Sequence, residues 1–402
     1  MKILIVHNFY QQPGGEDVVV RQERQLLERA GHKVVLYQRS NWETESFSGL
    51  RQLALVPRTV WSSSSKREFA ELLRIEKPDL VHIHNTFIMI SPSIFSACRE
   101  AGVPVVHTLH NYRLLCPGAT FFRNGKICEE CVDHSLLRSI QHACYRDSRP
   151  ATATVALMLG VHRKLHTWDR DVDCLIALTQ FARQKFLQQG FPAERLFVKP
   201  NFIDPDPGPG TGARDYVLFA GRLTPEKRIS TVLVAFKLLR DRIPLMVIGG
   251  GPQRLQLENE AREYGLTNVT FRGQLSREQT LEAMHNARFQ IFSSEWYETF
   301  GLIIAESFAC GNPVICSRLG AMQEIVQDGR TGLHFNPGDS QDLADKVNRL
   351  WNNPGLVRDL GAQARLEYEG KYTAERNYPL LMDIYERALR TNSAATPQLV
   401  AQ

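Results

Sequence analysis

Lys2-Ile-Leu-Ile-Val-His7, the turn Pro13-Gly14-Gly15 and Lys33-Val-Val-Leu-Tyr37 decide the fold between them. The first and last are apolar runs of strand length, the pattern of parallel strands buried on both faces. Glu16 to Ala30 places Val19, Val20, Leu26 and Leu27 at helical spacing and stops at Gly31. Strand, turn, helix and strand in that order make a doubly wound unit. Further strands are expected at Asp79–His84, Val103–His110 and Asp173–Leu178. Composition then turns abruptly to Pro and Gly over Ile203-Asp-Pro-Asp-Pro-Gly-Pro-Gly-Thr-Gly212, which reads as a linker. A second alternation follows, with strands at Tyr216–Ala220, Leu245–Gly249, Val269–Phe271, Phe289–Phe292 and Pro313–Cys316, then helices at Ser340–Trp351, Leu356–Tyr368 and Ala374–Leu389. Two α/β domains imply a cleft, where such sheets place ligands at strand carboxyl ends.

The 402 residues are too many for one ordinary core, and the 43% hydrophobic and 23% charged content is that of a soluble globular protein. No apolar run reaches the length of a membrane span; the longest candidate, Ala151–Val161, is bounded by Pro150 and His162. The N-terminus enters a strand at once without the shape of a signal peptide, so a cytoplasmic location is expected. Residues 1–200 carry 26 Lys and Arg against 19 Asp and Glu, a net +7, while the remainder is −2. An excess of this kind suits phosphate-bearing partners or an anionic membrane face, and equally an ordinary solvated surface. No nucleic-acid-binding module is present, so nucleic acid is not an expected partner.

Chemistry concentrates at Glu298-Thr-Phe-Gly-Leu-Ile-Ile-Ala-Glu306. If Phe300–Phe308 forms the first turns of a helix, the two carboxylates lie roughly on one face, about 12 Å apart along its axis. That is too far for a glycosidase carboxylate pair. It suits a ligand lying along the helix start, where free N–H groups attract phosphate. Upstream, Ala220-Gly221-Arg222-Leu-Thr-Pro-Glu-Lys227-Arg228 brings two cations to a strand end, a fork and a point charge fit for a diphosphate. Ile248-Gly249-Gly250-Gly251-Pro252 lets backbone pass close to a ligand.

These motifs resemble retaining glycosyltransferase family 4, with its E-x7-E pair, its G-R-L…E-K loop and its N-terminal glycine loop. The resemblance runs from Gly14 to the last helix and is most specific between Gly221 and Glu306. It implies a GT-B fold: two Rossmann-like domains facing each other across a cleft, with the C-terminal helix returning to the N-terminal domain. The expected boundaries are an acceptor domain at 1–203 with a Cys-rich insertion near 112–148, a linker at 204–212, a nucleotide-sugar domain at 213–372, a crossing helix at 373–391 and a disordered tail at 392–402.

Carried over position by position, the resemblance gives Arg222 and Lys227 the donor diphosphate, Glu298 the sugar hydroxyls and Glu306 the ribose hydroxyls. It places the amides of Thr299, Phe300, Gly301 and Leu302, with Gly250, near sugar and phosphate. Leu275, in Phe271-Arg-Gly-Gln-Leu275, falls where the base is held. Gly14 and Gly15 approach the transferring phosphate, and His110 meets the donor sugar as the active-site histidine. Arg228 stands where the family often has Gly. Glu16 and Asp17 are read as helix capping, and His82, His84 and His107 as packing or loop residues. The implied reaction transfers a sugar from a UDP- or GDP-linked donor to a saccharide or polyprenyl-linked acceptor with retention of configuration, in bacterial surface-polysaccharide synthesis. No D-x-D motif is present in the donor site, so no cofactor is expected for catalysis.

Cys116, Cys128, Cys131 and Cys144, spaced Cys-x11-Cys-x2-Cys-x12-Cys, could close a structural zinc site or stand as unrelated thiols, with His134 and His142 in reserve. Cys98, Cys174, Cys310 and Cys316 read as core. Leu50 to Trp61 could dock on anionic lipid at the inner membrane face or equally form a buried loop-helix, since Pro57 is expected to interrupt a single amphipathic helix there. A nucleotide-sugar epimerase, a sugar phosphorylase or a non-catalytic nucleotide-sugar binder on the same architecture stays open. An NAD-dependent dehydrogenase does not, because Asn8–Gly15 lacks G-x-G-x-x-G.

Overall fold

The computed structural model describes residues 1–11, 14–46, 50–210, 214–239 and 243–395. The chain divides into two compact units. The first comprises Met1–Phe121, Glu129–Pro200 and the C-terminal segment from Asn377; the second comprises Phe122–Cys128 and Asn201–Arg376. Pro13 of the glycine turn and the end of the linker from Thr211 lie outside the described residues.

The first unit carries a parallel sheet of six strands. These are β1 (Lys2–Phe9), β2 (Lys33–Ser40), β3 (Leu80–Asn85), β4 (Val105–Thr108), and, after the two-residue strands β5 (Phe122–Arg123) and β6 (Lys126–Ile127) of the second unit's hairpin, β7 (Cys174–Ala177) and β8 (Leu196–Val198). Their order is β2-β1-β3-β4-β7-β8. The sequence-long apolar runs explain it: Ile3 to Val6 and Leu80 to Asn85 are buried throughout, as strands covered by helices on both faces must be. The last helix, Ala374–Ala395, packs Leu381, Ile384, Tyr385 and Ala388 into the same core as Ile3, Ile5, Val106 and Ile176. It extends through 392–395, residues expected in a tail; 396–402 lie outside the described residues.

The second unit repeats the plan with β9 (Tyr216–Ala220), β10 (Leu245–Ile248), β11 (Val269–Gly273), β12 (Ala287–Phe292), β13 (Val314–Ser317) and β14 (Gly332–Phe335), ordered β11-β10-β9-β12-β13-β14 and all parallel. Strand order reverses between β9 and β12 here, and between β1 and β3 in the first unit. Ligands bind beyond the carboxyl ends of strands at such switch points. The two Rossmann-like units of a GT-B protein are therefore both present.

Two local expectations are corrected. The helix expected from Phe300 begins at Leu302, because Gly301 turns at φ +87° as its N-cap. Glu298 therefore lies on the loop before the helix, and the two glutamates do not share a helical face. The segment around Pro57 is one helix, Leu50–Val60. Proline removes one backbone donor, but this helix ends three residues later, and Pro57 O still accepts from Trp61 N at 2.8 Å.

Candidate functional site

In the second unit the site is built at the β9/β12 switch point. Beyond β9, Gly221 N donates to Ile248 O (3.0 Å) and Leu223 N to Gly250 O (2.8 Å), so the cation loop lies against the glycine run after β10. The glycines are needed for that approach. A Cβ on Gly249 (φ +142°) would sit 1.8 Å from Gly221 O, and one on Gly251 (φ +155°) 2.4 Å from Leu223 O. At Gly250 the nearest atom is Gln274 Oε1 at 3.5 Å. Two of the three glycines thus shape the Arg222 loop itself, and only Gly250 leaves room above it. Arg222 is exposed at the tip.

Lys227, at the end of a 3-10 turn (Pro225–Lys227), reaches from this loop to the β12 loop and pairs with Glu298 Oε1. The same oxygen accepts from Ser294 Oγ (2.9 Å) and Trp296 Nε1 (2.6 Å). Lys227 Nζ also lies 5.0 Å from the Phe292 ring centroid and 5.5 Å from that of Trp296. The residues assigned separately to diphosphate and sugar are therefore in contact. Three donors therefore converge on one oxygen of Glu298. Ser294 and Trp296 were missed as partners, although their nearness in sequence was the available signal.

Glu306 stands one turn into the helix Leu302–Ala309. Burial pushes its carboxyl up to about 7, opposed by Arg277, whose Nε lies 3.6 Å from Oε1. Arg277 is a further member that sequence spacing does not reveal. Phe300 is buried with its ring 5.6 Å from that of Tyr372, so its side chain serves the core and only its backbone faces the loop. Leu275 packs against the apolar cluster that includes Ala220 and Ile248. Arg228 donates to Gly125 O at 2.6 Å, which ties the β5–β6 hairpin to the cation loop within this unit.

In the first unit, Gly14 N donates to Asp17 Oδ2 (2.7 Å) at the start of the helix Gly15–Arg29, and Asp17 Oδ1 meets His7 Nε2 at 2.7 Å. Asp17 is the capping residue expected. Glu16 instead accepts from Asn85 Nδ2 at 3.0 Å, and burial pushes its carboxyl up to about 8. His110, after β4, has its Nε2 2.9 Å from His84 Nδ1, and burial holds both rings well below the ordinary imidazole range. His84 is thus not mere packing. His107 and Arg113 line, with His110, a hollow of about 50 Å³.

Cys98, Cys174, Cys310 and Cys316 are buried, as core residues are. A Cβ on Gly118 would sit 3.7 Å from Cys116 Sγ and 3.2 Å from Cys144 O. Among the described residues, Glu23, His82 and His84 bring ligating atoms within 4.8 Å of one another.

With this geometry in hand, comparison with known proteins gives a consistent answer. The family described as Glycosyltransferase Family 4 matches residues 13–207, and that described as Glycosyl transferases group 1 matches 208–367. The chain belongs to the glycosyltransferases. O-antigen chain mannosyltransferase C of Escherichia coli is 30% identical over 181 residues, 44% of this chain and 48% of that protein. Glycogen synthase of Mycobacterium tuberculosis is 29% identical over 333 residues, 80% of this chain and 72% of that one. The match spans about half the length of the first of these relatives. Among solved structures, HepE of Anabaena in complex with UDP superposes with a TM-score of 0.68 at 19% identity, covering 96% of this glycosyltransferase and 100% of HepE. Sucrose-phosphate synthase of Thermosynechococcus elongatus gives 0.71 at 19%, covering 96% and 98%. These structures share the fold. No helix among the described residues is long and apolar enough to cross a membrane.

Proposed function

We propose that this glycosyltransferase moves a sugar from a nucleotide-diphosphate donor to a saccharide or lipid-linked saccharide acceptor, with retention of anomeric configuration. One observation carries the reading: at the switch point of the second sheet, Lys227 and Glu298 form one hydrogen-bonded group beside the exposed Arg222. A fork and an ammonium next to the start of the helix at Leu302 suit the charge that develops on a departing diphosphate. In this reading Arg222 and Lys227 do the work a metal does elsewhere. Glu298, held by three donors, orients sugar hydroxyls, and Glu306 takes the ribose hydroxyls. His110 contributes from the first unit. The acceptor attacks from the face the diphosphate leaves, and the leaving phosphate takes the acceptor's proton.

A panel of UDP- and GDP-sugars tests this, with binding and turnover measured with and without EDTA for wild type and Glu306→Ala. Selective, EDTA-resistant binding of one donor that weakens in the variant is expected. Failure to bind any donor, or a trapped covalent glycosyl–Glu298 adduct, overturns the donor site or the mechanism respectively. The O-antigen chain mannosyltransferase of E. coli among the relatives supports a place in surface-polysaccharide synthesis, and we read the inner membrane face as the place of work. Flotation with anionic vesicles tests the membrane contact. A zinc at Cys116, Cys128, Cys131 and Cys144 rests on their spacing alone, and metal analysis of the purified protein decides it.

A further inference from the structure

Arg228 ends the 3-10 turn Pro225–Lys227 and starts the helix Ile229–Leu238, with its backbone left-handed at φ +50°. A residue with a Cβ takes that conformation rarely, and keeps it only where surrounding contacts fix it. Here the contacts are those of its guanidinium. Nη2 donates to Gly125 O at 2.6 Å. Glu295 Oε2 lies 2.8 Å from Nε, which makes no hydrogen bond there, so that contact is one of charge. Glu295 belongs to the loop after β12, and the same loop holds the cation loop by its backbone. Glu295 N donates to Glu226 O (2.9 Å) and Ser293 Oγ to Lys227 O (2.7 Å). One side chain thus joins the cation loop, the β12 loop and the turn of the β5–β6 hairpin.

The hairpin is minimal. Its strands have two residues each, pairing Phe122 with Ile127 and Arg123 with Lys126. Asn124 (φ +50°) and Gly125 (φ +75°) form a two-residue turn that is left-handed at both positions. A hairpin this short is not stable alone and needs a surface to dock on. Phe122–Cys128 belongs to the second unit, whereas the chain on either side, to Phe121 and from Glu129, belongs to the first. At the contact itself the fit is close: a Cβ on Gly125 would sit 2.9 Å from Arg228 Nη2.

We propose that the β5–β6 hairpin is a clasp on the donor site, with Gly125 and Arg228 as positioning residues that fix the direction in which Lys227 meets the donor diphosphate. Lys227 immediately precedes the left-handed turn, so a change of backbone at Arg228 swings the Lys227 ammonium away from its place. This rests on the reading above that Arg222 and Lys227 take the diphosphate. It adds that the cysteine-rich insertion, whose chain carries the hairpin, sets how strongly that diphosphate is held. The clasp acts on phosphate and not on ribose or base, which fall to Glu306 and Leu275 in other segments.

Calorimetric titration of the full chain with UDP, UMP, GDP and GMP tests this. Wild type is expected to bind one diphosphate more tightly than the matching monophosphate. Arg228→Gly removes the guanidinium but suits a left-handed backbone, so its thermal midpoint should stay close to that of wild type. Its affinity for the diphosphate should fall on the order of tenfold, and that for the monophosphate by less than about twofold. An arginine that only holds the fold would lower the midpoint and weaken both ligands alike, and that result overturns the proposal. So does an Arg228→Gly chain that keeps the wild-type preference for diphosphate. Gly125→Asn leaves Arg228 in place: asparagine accepts the left-handed turn, and its Cβ displaces the guanidinium. The same selective loss is expected, and this variant decides by the same criterion should Arg228→Gly fail to fold. The reading beneath fails separately: a wild type with no preference for either diphosphate, or a Lys227→Met chain that retains one, removes Lys227 from the diphosphate and the clasp with it.

Discussion

A carboxyl with a raised pKa binds its proton more tightly in the folded chain than in the unfolded one. Glu306, pushed from an ordinary 4.5 to about 7 by burial, is such a group. Its contribution to stability is complete below about pH 4.5 and is lost as pH rises from there through about 7, because over that window the unfolded carboxyl ionises while the buried one holds its proton. The shift corresponds to about 3 kcal/mol. Glu306→Gln should therefore be more stable than wild type at pH 8 by up to about 3 kcal/mol, with little difference at pH 4.5, as read by urea denaturation. An equal effect at both values would mean that Arg277 keeps Glu306 ionised throughout.

Lys227 and Glu298 invite a different measurement. They share one contact and are both largely buried, so a double-mutant cycle with Lys227→Met and Glu298→Gln should give a coupling of about 1–3 kcal/mol in stability. A coupling near zero would show that solvent screens the pair. Each of these residues was legible alone, as a cation after a strand or a carboxylate before a helix. Their contact was not, because 71 residues separate them and only the pairing of β9 with β12 brings them together. Arg277 and His84 were hidden for the same reason.

At the scale of the element, Gly249 and Gly250 make opposite predictions although they are adjacent in the same run. Gly249→Ala must place a methyl group where Gly221 O already stands, in backbone that alanine rarely adopts. A loss of more than about 2 kcal/mol is expected in denaturation, with distortion of the Arg222 loop. Gly250→Ala has space and should fold with stability within about 1 kcal/mol of wild type. If both are tolerated, the loop is less closely packed than described. Strands were readable from their apolar runs, and Tyr216–Ala220 has the limits expected. The helix after Glu298 was less so. Apolar residues 300–308 fit a helical period, but the sequence does not show that Gly301 takes a left-handed turn in place of the first helical residue.

For the whole molecule, the two six-stranded sheets follow from repeated strand–helix alternation, which was visible throughout. The return of the last helix to the first core was expected from the family resemblance, and its amphipathic pattern alone names no partner. Leu381→Ala should cost about 2–5 kcal/mol, since the side chain is fully buried against the first sheet. Ending the chain at Arg376 removes Tyr385 from His82 as well, and should abolish the cooperative thermal transition of the first unit. A truncated chain that still melts cooperatively in that unit would show the helix to be dispensable.

That arrangement also sets a clock. Between Pro200 and Asn377 a ribosome must add Asn201–Arg376, 176 residues, before the segment that completes the first unit exists. At roughly 5–20 residues per second this takes roughly 9 to 35 s. For that time the faces of Ile3, Ile5, Val106 and Ile176 lack the helix that covers them. The first unit is thus begun before the second and finished after it, and it passes the interval as a nascent chain with an uncovered apolar face.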